Sequence, residues 1–296
     1  MRRFDLVLPN TVEECLKTLA DRGTQAKLVA GGTDLLPQLK NHLLKPGVVV
    51  DLSGVAPLHA LTQDGGGLRI GAAVTARELE RDARLQKPAY RGLAESGALI
   101  GSVQVRHLAT VGGNICNAAP SADGVPALLC HAAKVRIAGP AGTRQLPLEE
   151  LFVGPGKTTI EHGELLVSIV LAPAAPRSAV AYLRFTPRRE MDIAIAGAGT
   201  YMRLDQQGVI AEARVALASV GPTPMRAPLA EQRLVGERPT RALLEEVGRC
   251  AARDARPISD TRGSADYRRS LVAVLTMRAL ADCCAQLGID VEAPPQ

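Results

Sequence analysis

Thr110-Val111-Gly112-Gly113-Asn114-Ile115-Cys116-Asn117-Ala118-Ala119-Pro120-Ser121-Ala122-Asp123 is the stretch on which the reading of this 296-residue chain turns. Adjacent glycines let a backbone reach positive φ and come close to a ligand where a Cβ would clash. Consecutive peptide N–H groups in such a turn can point into one concavity and hold an anion. Thr110, Asn114 and Asn117 add side-chain donors, and Asp123 adds an acceptor suited to sugar hydroxyls. Taken alone, the same residues also describe a tight surface turn.

A second glycine pair narrows the choice. Lys27-Leu28-Val29-Ala30-Gly31-Gly32-Thr33-Asp34-Leu35-Leu36 reads as an apolar strand, a tight turn and a short helix that Thr33 or Asp34 can cap. A diphosphate at that turn would face free N–H groups at a helix start. The pattern is neither GxGxxG nor a Walker loop, so the two commonest phosphate fingerprints are absent. Two Gly-Gly turns about eighty residues apart are able to cradle one diphosphate from two sides.

AGGTDLL followed by TVGGNICNAAPSAD resembles the FAD-carrying medium subunit, or domain, of the molybdenum hydroxylases. These include the xanthine dehydrogenase, carbon monoxide dehydrogenase and 4-hydroxybenzoyl-CoA reductase families. The resemblance runs from Phe4 to about Leu287. It implies an α+β fold of the PCMH type: two FAD-binding subdomains, 1–55 and 56–175, then a C-terminal α+β domain, 176–296, with an antiparallel sheet and helices. It implies an oxidoreductase subunit with FAD as cofactor. A large molybdopterin-binding subunit and a small [2Fe–2S] subunit would be its partners, with electrons passing through the FAD to NAD⁺ or another acceptor. Carried over residue by residue, Val29, Ala30, Gly31, Gly32, Thr33, Asp34 and Leu35 would wrap the diphosphate and adjoining ribose. Thr110, Gly113 and Asn114 would complete that site, and Asp123 would bond ribityl or ribose hydroxyls. Leu165 and Leu166 match residues that line the cofactor, and Ile100 and Gly101 match a weaker position of the same kind.

Arg184, in Tyr182-Leu183-Arg184-Phe185-Thr186-Pro187-Arg188-Arg189-Glu190-Met191-Asp192-Ile193-Ala194, stands where relatives often carry lysine, and would contact flavin or diphosphate. The bland alternative is an edge strand with solvated arginines. Some 4-hydroxybenzoyl-CoA reductases carry an iron–sulfur cluster on a cysteine-rich insertion after the GGN motif. Here residues 118–123 continue without insertion, which implies no such cluster in this chain.

Composition excludes several other roles. Aromatic residues make up 2% and tryptophan is absent, so the core must be aliphatic and base-stacking platforms for nucleic acid are missing. A net charge of +5, spread without a long basic run, indicates neither DNA nor membrane binding. No apolar run is long enough for a membrane span, and the first residues lack a signal-peptide core. Six cysteines without a CxxC pair read as reduced thiols of a cytoplasmic protein. His107, His131, Cys116 and Cys130 lack metal-ligand spacing, so no metal is expected. No GxSxG elbow or acid–base pattern appears, and no catalytic residue is assigned.

Periodicity places the rest. Thr11 and Glu14 form a capping box before an apolar helical face of Val12, Cys15, Leu16, Leu19 and Ala20, closed at Gly23. A second box, Thr75 to Glu78, opens another helix. Strands are expected at 48–52, 68–72, 134–137 and 165–171, with helices at 90–99 and 125–130. Beyond a Pro-rich linker at 173–177 the pattern becomes strands at 179–185, 193–204 and 214–220, then helices at 241–253 and 267–287. Two rival functions remain at this stage. One is a self-contained flavoenzyme resembling UDP-N-acetylenolpyruvylglucosamine reductase; the other is an assembly subunit that has lost its flavin.

Overall fold

A computed structural model describes residues 2–291. The first part of the chain builds a small parallel sheet. Strand β1 (Asp5–Val7) is followed by α1 (Val12–Arg22), β2 (Ala26–Val29), α2 (Leu35–Lys40) and β3 (Val48–Asp51), and the strands pair in the order β1-β3-β2. Thr11 caps α1 by accepting the Glu14 N–H at 3.1 Å, and Gly23 ends it at φ 55°. Glu14 reaches back one residue further than the capping box requires, to the Asn10 N–H. Cys15, Leu19, Val48, Val50 and Leu52 form the core of this part.

A five-stranded antiparallel sheet comes next. Strands β4 (Leu61–Asp64) and β5 (Gly67–Gly71) precede five helices: α3 (Ala76–Arg81), α4 (Arg91–Ala98), α5 (Val103–Arg106), α6 (Val111–Asn117) and α7 (Gly124–Cys130). Strands β6 (Lys134–Gly139) and β7 (Gly142–Pro147), a small hairpin of β8 (Phe152–Gly154) and β9 (Lys157–Thr158), and β10 (Leu165–Leu171) complete it, in the order β4-β5-β10-β6-β7. The central strand β10 is nearly all aliphatic because both its faces are covered. A bulge between Leu166 and Ser168 frees the Val167 carbonyl to accept the Ala72 N–H. Leu165 then packs with the first core and Leu166 with the second, so one strand joins the two.

The C-terminal sheet is antiparallel, β11 (Ser178–Phe185), β12 (Ala196–Leu204), β13 (Ile210–Ala218) and β14 (Met225–Arg226), followed by α8 (Pro228–Leu234), α9 (Arg241–Asp254) and α10 (Ala265–Gln286). Strand alternation divides its two faces. Ala179, Ala181, Ala196 and Ala198 turn toward α10 and its neighbours, whereas Val180 joins the core built around α4 and α7. The small residues facing α10 let the helix sit close to the sheet.

Several sequence expectations need correction. The TVGGN segment is not a glycine turn. It is the start of α6, and neither Gly112 nor Gly113 has positive φ. Gly112 is required for a different reason: a Cβ there would lie 2.6 Å from the Ala72 carbonyl oxygen. The strand expected at 193–204 begins only at Ala196, because residues 186–192 form a loop whose ends are closed by Ile195 N–H donating to the Phe185 carbonyl. Strands β1, β8 and β9 and helix α8 are too short, and β7 too polar, for periodicity to expose them.

Candidate functional site

The two glycine motifs meet. Residues 30–34 leave β2 and turn into α2 beside the N-terminal end of α6, and between them opens a cleft of about 590 Å³, within the range of cofactor pockets. Val29, Ala30, Gly31, Gly32, Thr33, Asp34, Leu35, Ile100, Gly101, Thr110, Gly113 and Asn114 all line it. A neighbouring apolar pocket of about 270 Å³ shares Leu28, Ala30, Gly113 and Cys116 with the cleft and adds Leu165 and Leu166.

Close packing explains the first motif. A Cβ on Gly31 would sit 1.7 Å from the Leu108 carbonyl oxygen, and Gly32 has φ 71°. Leu108 follows α5, which a largely buried ion pair fixes: Arg106 Nε donates to Glu80 at 2.9 Å. The turn leaves the N–H groups of Gly31, Gly32, Thr33 and Asp34 without a hydrogen-bond partner among the described residues. Neither Thr33 nor Asp34 caps α2, contrary to the sequence reading. The Asp34 carboxylate instead accepts from Asn117 Nδ2 at 3.2 Å, with Thr33 beside it. Burial pushes the Asp34 carboxyl upward and the neighbouring Thr33 hydroxyl partly opposes that.

The second motif works differently. Thr110 and Thr75 are antiparallel bridge partners, and each caps a helix, α6 and α3. Every amide at the start of α6 has a partner within the chain: Val111 with Val74 O, Gly112 with Ala72 O, Gly113 with Thr110 Oγ1, Asn114 with Thr110 O. The row of open donors therefore lies in residues 31–34. Asn114 contributes a side-chain oxygen that is buried and has no partner. Gly124 leaves it room, since a Cβ there would be 2.9 Å away.

Asp123 and Arg184 do not line the cleft. Asp123 Oδ2 is paired with the Arg184 guanidinium, whose side chain is 4% exposed, and Tyr182 Oη donates to Asp123 Oδ1 at 2.8 Å. Burial raises the Asp123 carboxyl, with Arg184 and Tyr182 pulling it back. Met191, Asp192 and Ile193, on the loop after Arg184, do reach the cleft wall. Met191 adopts φ 53° and donates its N–H to the Gly101 carbonyl, itself at φ 51°.

Asn117, expected as a side-chain donor of the glycine motif, lines the cleft too, as do Gln38 and Cys116, which carried no expectation. Helical spacing was the available signal: Asn117 stands three residues after Asn114, and Gln38 three after Leu35. Among the described residues, no three His, Cys, Asp or Glu side chains gather as a metal site requires. No helix among them is long and apolar enough to cross a membrane.

Free amides over a cleft, a buried unpartnered acceptor and an adjoining apolar pocket define a chain built to hold a large nucleotide cofactor. The comparisons specify which. Residues 2–174 match the family described as the FAD binding domain in molybdopterin dehydrogenase, and 181–283 match the CO dehydrogenase flavoprotein C-terminal domain. The xanthine dehydrogenase FAD-binding subunit of Escherichia coli O157:H7 is 36% identical over 94% of this chain and 95% of its own length. The carbon monoxide dehydrogenase medium chain of Hydrogenophaga pseudoflava is 31% identical over 94% of this chain and 96% of its own. A solved carbon monoxide dehydrogenase from Hydrogenophaga pseudoflava superposes with a TM-score of 0.91 at 30% identity, covering 96% of this chain and 98% of the matched one. Quinoline 2-oxidoreductase from Pseudomonas putida 86 gives 0.89 at 28% identity, covering 97% and 98%.

The chain belongs to the FAD-binding subunits of the molybdenum hydroxylases, the xanthine dehydrogenase and carbon monoxide dehydrogenase family. It is an oxidoreductase subunit, and its cofactor is FAD. That membership removes both rivals, the self-contained reductase and the flavin-free assembly subunit. The residues present fit the group: unpartnered amides suit a diphosphate, Asn114 Oδ1 suits a hydroxyl or N–H, and the apolar pocket suits a ring.

Proposed function

We propose that this chain holds the FAD through which electrons leave the assembled enzyme. They would come from [2Fe–2S] clusters of a small partner subunit, fed by a large molybdopterin-binding subunit, and pass to NAD⁺ or another acceptor. The observation that carries this reading is the row of unpartnered amides in residues 31–34, all of which line the cleft. FAD, when bound, supplies the redox chemistry; the chain's residues bind and orient it. Gly31, Gly32, Thr33 and Asp34 take the diphosphate through their amides, flanked by Val29, Ala30 and Leu35. Thr110, Gly113 and Asn114 form the opposite wall, Ile100 and Gly101 the rim, and Leu165 and Leu166 the apolar floor. Asp123 and Arg184, paired behind the cleft wall, are assigned to the cofactor by resemblance, the carboxylate to the sugar hydroxyls and the guanidinium to flavin or diphosphate. The reading treats 1–55 and 56–175 as the two cofactor-binding subdomains and 176–296 as the domain that closes on them. Six free cysteines favour a reducing compartment, the cytoplasm.

Two measurements test it. Deflavinated chain should bind FAD, with bands returning near roughly 370 and 450 nm, and Gly113→Val should weaken that binding by at least ~10-fold, or about 1.4 kcal/mol. Unchanged binding in the variant would remove α6 from the site. In the assembled complex under anaerobic conditions, NADH should bleach the flavin band if NAD⁺ is the acceptor. A band that stays oxidised would exclude NAD⁺.

A further inference from the structure

Asp123 and Arg184 stand behind the cleft wall, and a third residue holds both in place. Tyr182 and Arg184 lie two apart on β11, so their side chains leave the same face of the sheet, toward α7. Tyr182 is fully buried and its hydroxyl donates to Asp123 at 2.8 Å. Its own backbone N–H donates to the Glu95 carboxylate on α4 at 3.0 Å.

The neighbouring strand is cut to fit this ring. Gly197 of β12 pairs with Arg184, and a Cβ on it would lie 2.6 Å from the Tyr182 hydroxyl. Gly199 pairs with Tyr182, and its Cβ would meet the Pro126 backbone of α7 at 3.1 Å. Alternate glycines thus hollow one face of β12 while Ala196 and Ala198 serve the other. Asp123 does not cap α7; both its oxygens turn to β11. One residue further along, Gly124 abuts the buried, unpartnered oxygen of Asn114, a residue that lines the cleft. On the other strand, Arg184 stands at the root of the loop that carries Met191, Asp192 and Ile193 into the cleft wall.

We propose that Tyr182 is a positioning residue for the flavin site: its hydroxyl orients the Asp123 carboxylate, and through it the Arg184 guanidinium, without touching the cofactor. This rests on the reading that Asp123 and Arg184 serve FAD. The groups that act on Asp123 are Arg184 and Tyr182. Glu95 faces the Tyr182 backbone, while Arg214, Arg226 and Glu231 gather at Cys130, the opposite end of α7. With the phenol removed, a buried carboxylate loses one of two donors, and its proton returns at higher pH.

The test uses the full chain, deflavinated and titrated with FAD, as Tyr182→Phe, Asp123→Asn and the double variant. Tyr182→Phe should weaken FAD binding by roughly 5- to 20-fold near neutral pH, part of what one hydrogen bond to a charged group contributes, since the phenol acts through Asp123. The deficit should widen as pH falls from about 8 to about 5, and it should vanish in the Asp123→Asn background. Unfolding temperatures of the flavin-free proteins report any purely structural effect. Tyr182→Phe that binds FAD as the parent does at every pH overturns the proposal, as does an equal deficit in the Asp123→Asn background. If Asp123→Asn itself binds FAD normally, the assignment of Asp123 to the site has failed instead.

Discussion

Cys116 turns the cofactor's location into a thiol count. It opens into both the cleft and the adjoining apolar pocket, whereas Cys15, Cys130, Cys250, Cys283 and Cys284 are buried. A thiol reagent should therefore label one cysteine per chain without FAD and none with FAD bound, read by mass spectrometry of the intact chain. Equal labelling in both states would put the cofactor elsewhere. Gly31 gives the complementary result by addition. Its missing side chain accommodates the Leu108 carbonyl, which backbone holds and no rotamer change can move. Gly31→Ala should destabilise the chain by about 3 kcal/mol or more, as overpacking against backbone does, and should abolish FAD retention. A melting temperature within a degree or so of the parent would mean that the α5 segment yields. Both glycine motifs were legible because backbone packed against backbone demands small residues, as Gly31 against Leu108 and Gly112 against Ala72 show. Their division of labour was not: which N–H groups remain open depends on the carbonyls of Ala72 and Val74 in the segment after β5, far away in sequence.

Thr75 and Thr110 show how elements share a task and how they differ. Each is the N-cap of its helix, and the two face each other as bridge partners, so α3 and α6 start from one fixed point. Removing either hydroxyl exposes an amide at a helix start, a loss of about 1 kcal/mol. Thr75→Val should cost that stability and leave FAD affinity unchanged. Thr110→Val should cost the same and also weaken FAD, because α6 forms a cleft wall. Urea unfolding beside FAD titration separates the two; equal FAD affinity in both variants would reduce Thr110 to a cap alone. Local chemistry made these elements readable, through capping residues, glycine stops and aliphatic runs such as β10. Strands β1, β7, β8 and β9 escaped because short, exposed segments gain their pairing from neighbours and not from their own pattern. Gly197 and Gly199 did carry a signal, a glycine at every second position of a strand, which marks a face pressed against something bulky.

At the scale of the whole molecule, α7 is the joint between the cofactor-binding part and the C-terminal sheet, and His131 sits at its end. The ring is stacked on Tyr90, with centroids 5.3 Å apart, and its Nε2 is buried without a partner. From the sheet, Arg214 Nη1 donates to the Cys130 carbonyl at 3.1 Å. Burial, and then the charge of Arg214, push His131 down to about 3 from its ordinary 6.5. Above 6.5 the ring is neutral whether the chain is folded or not, and it contributes no pH dependence. Between about 6.5 and about 3 the unfolded chain takes a proton that the folded chain refuses, so stability falls by ~1.4 kcal/mol per pH unit. Asp123 and Glu95, whose carboxyls burial raises, act in the opposite sense, since the folded chain accepts their protons first on acidification. A variant comparison isolates the histidine from them. His131→Phe keeps an aromatic ring on Tyr90 and removes the titration, so its denaturant midpoints should fall more gently than the parent's between pH 6.5 and 3. The curves should run parallel above 6.5. Parallel curves on the acid side as well would show that the joint opens to water before the histidine is protonated, and that the two parts separate ahead of global unfolding.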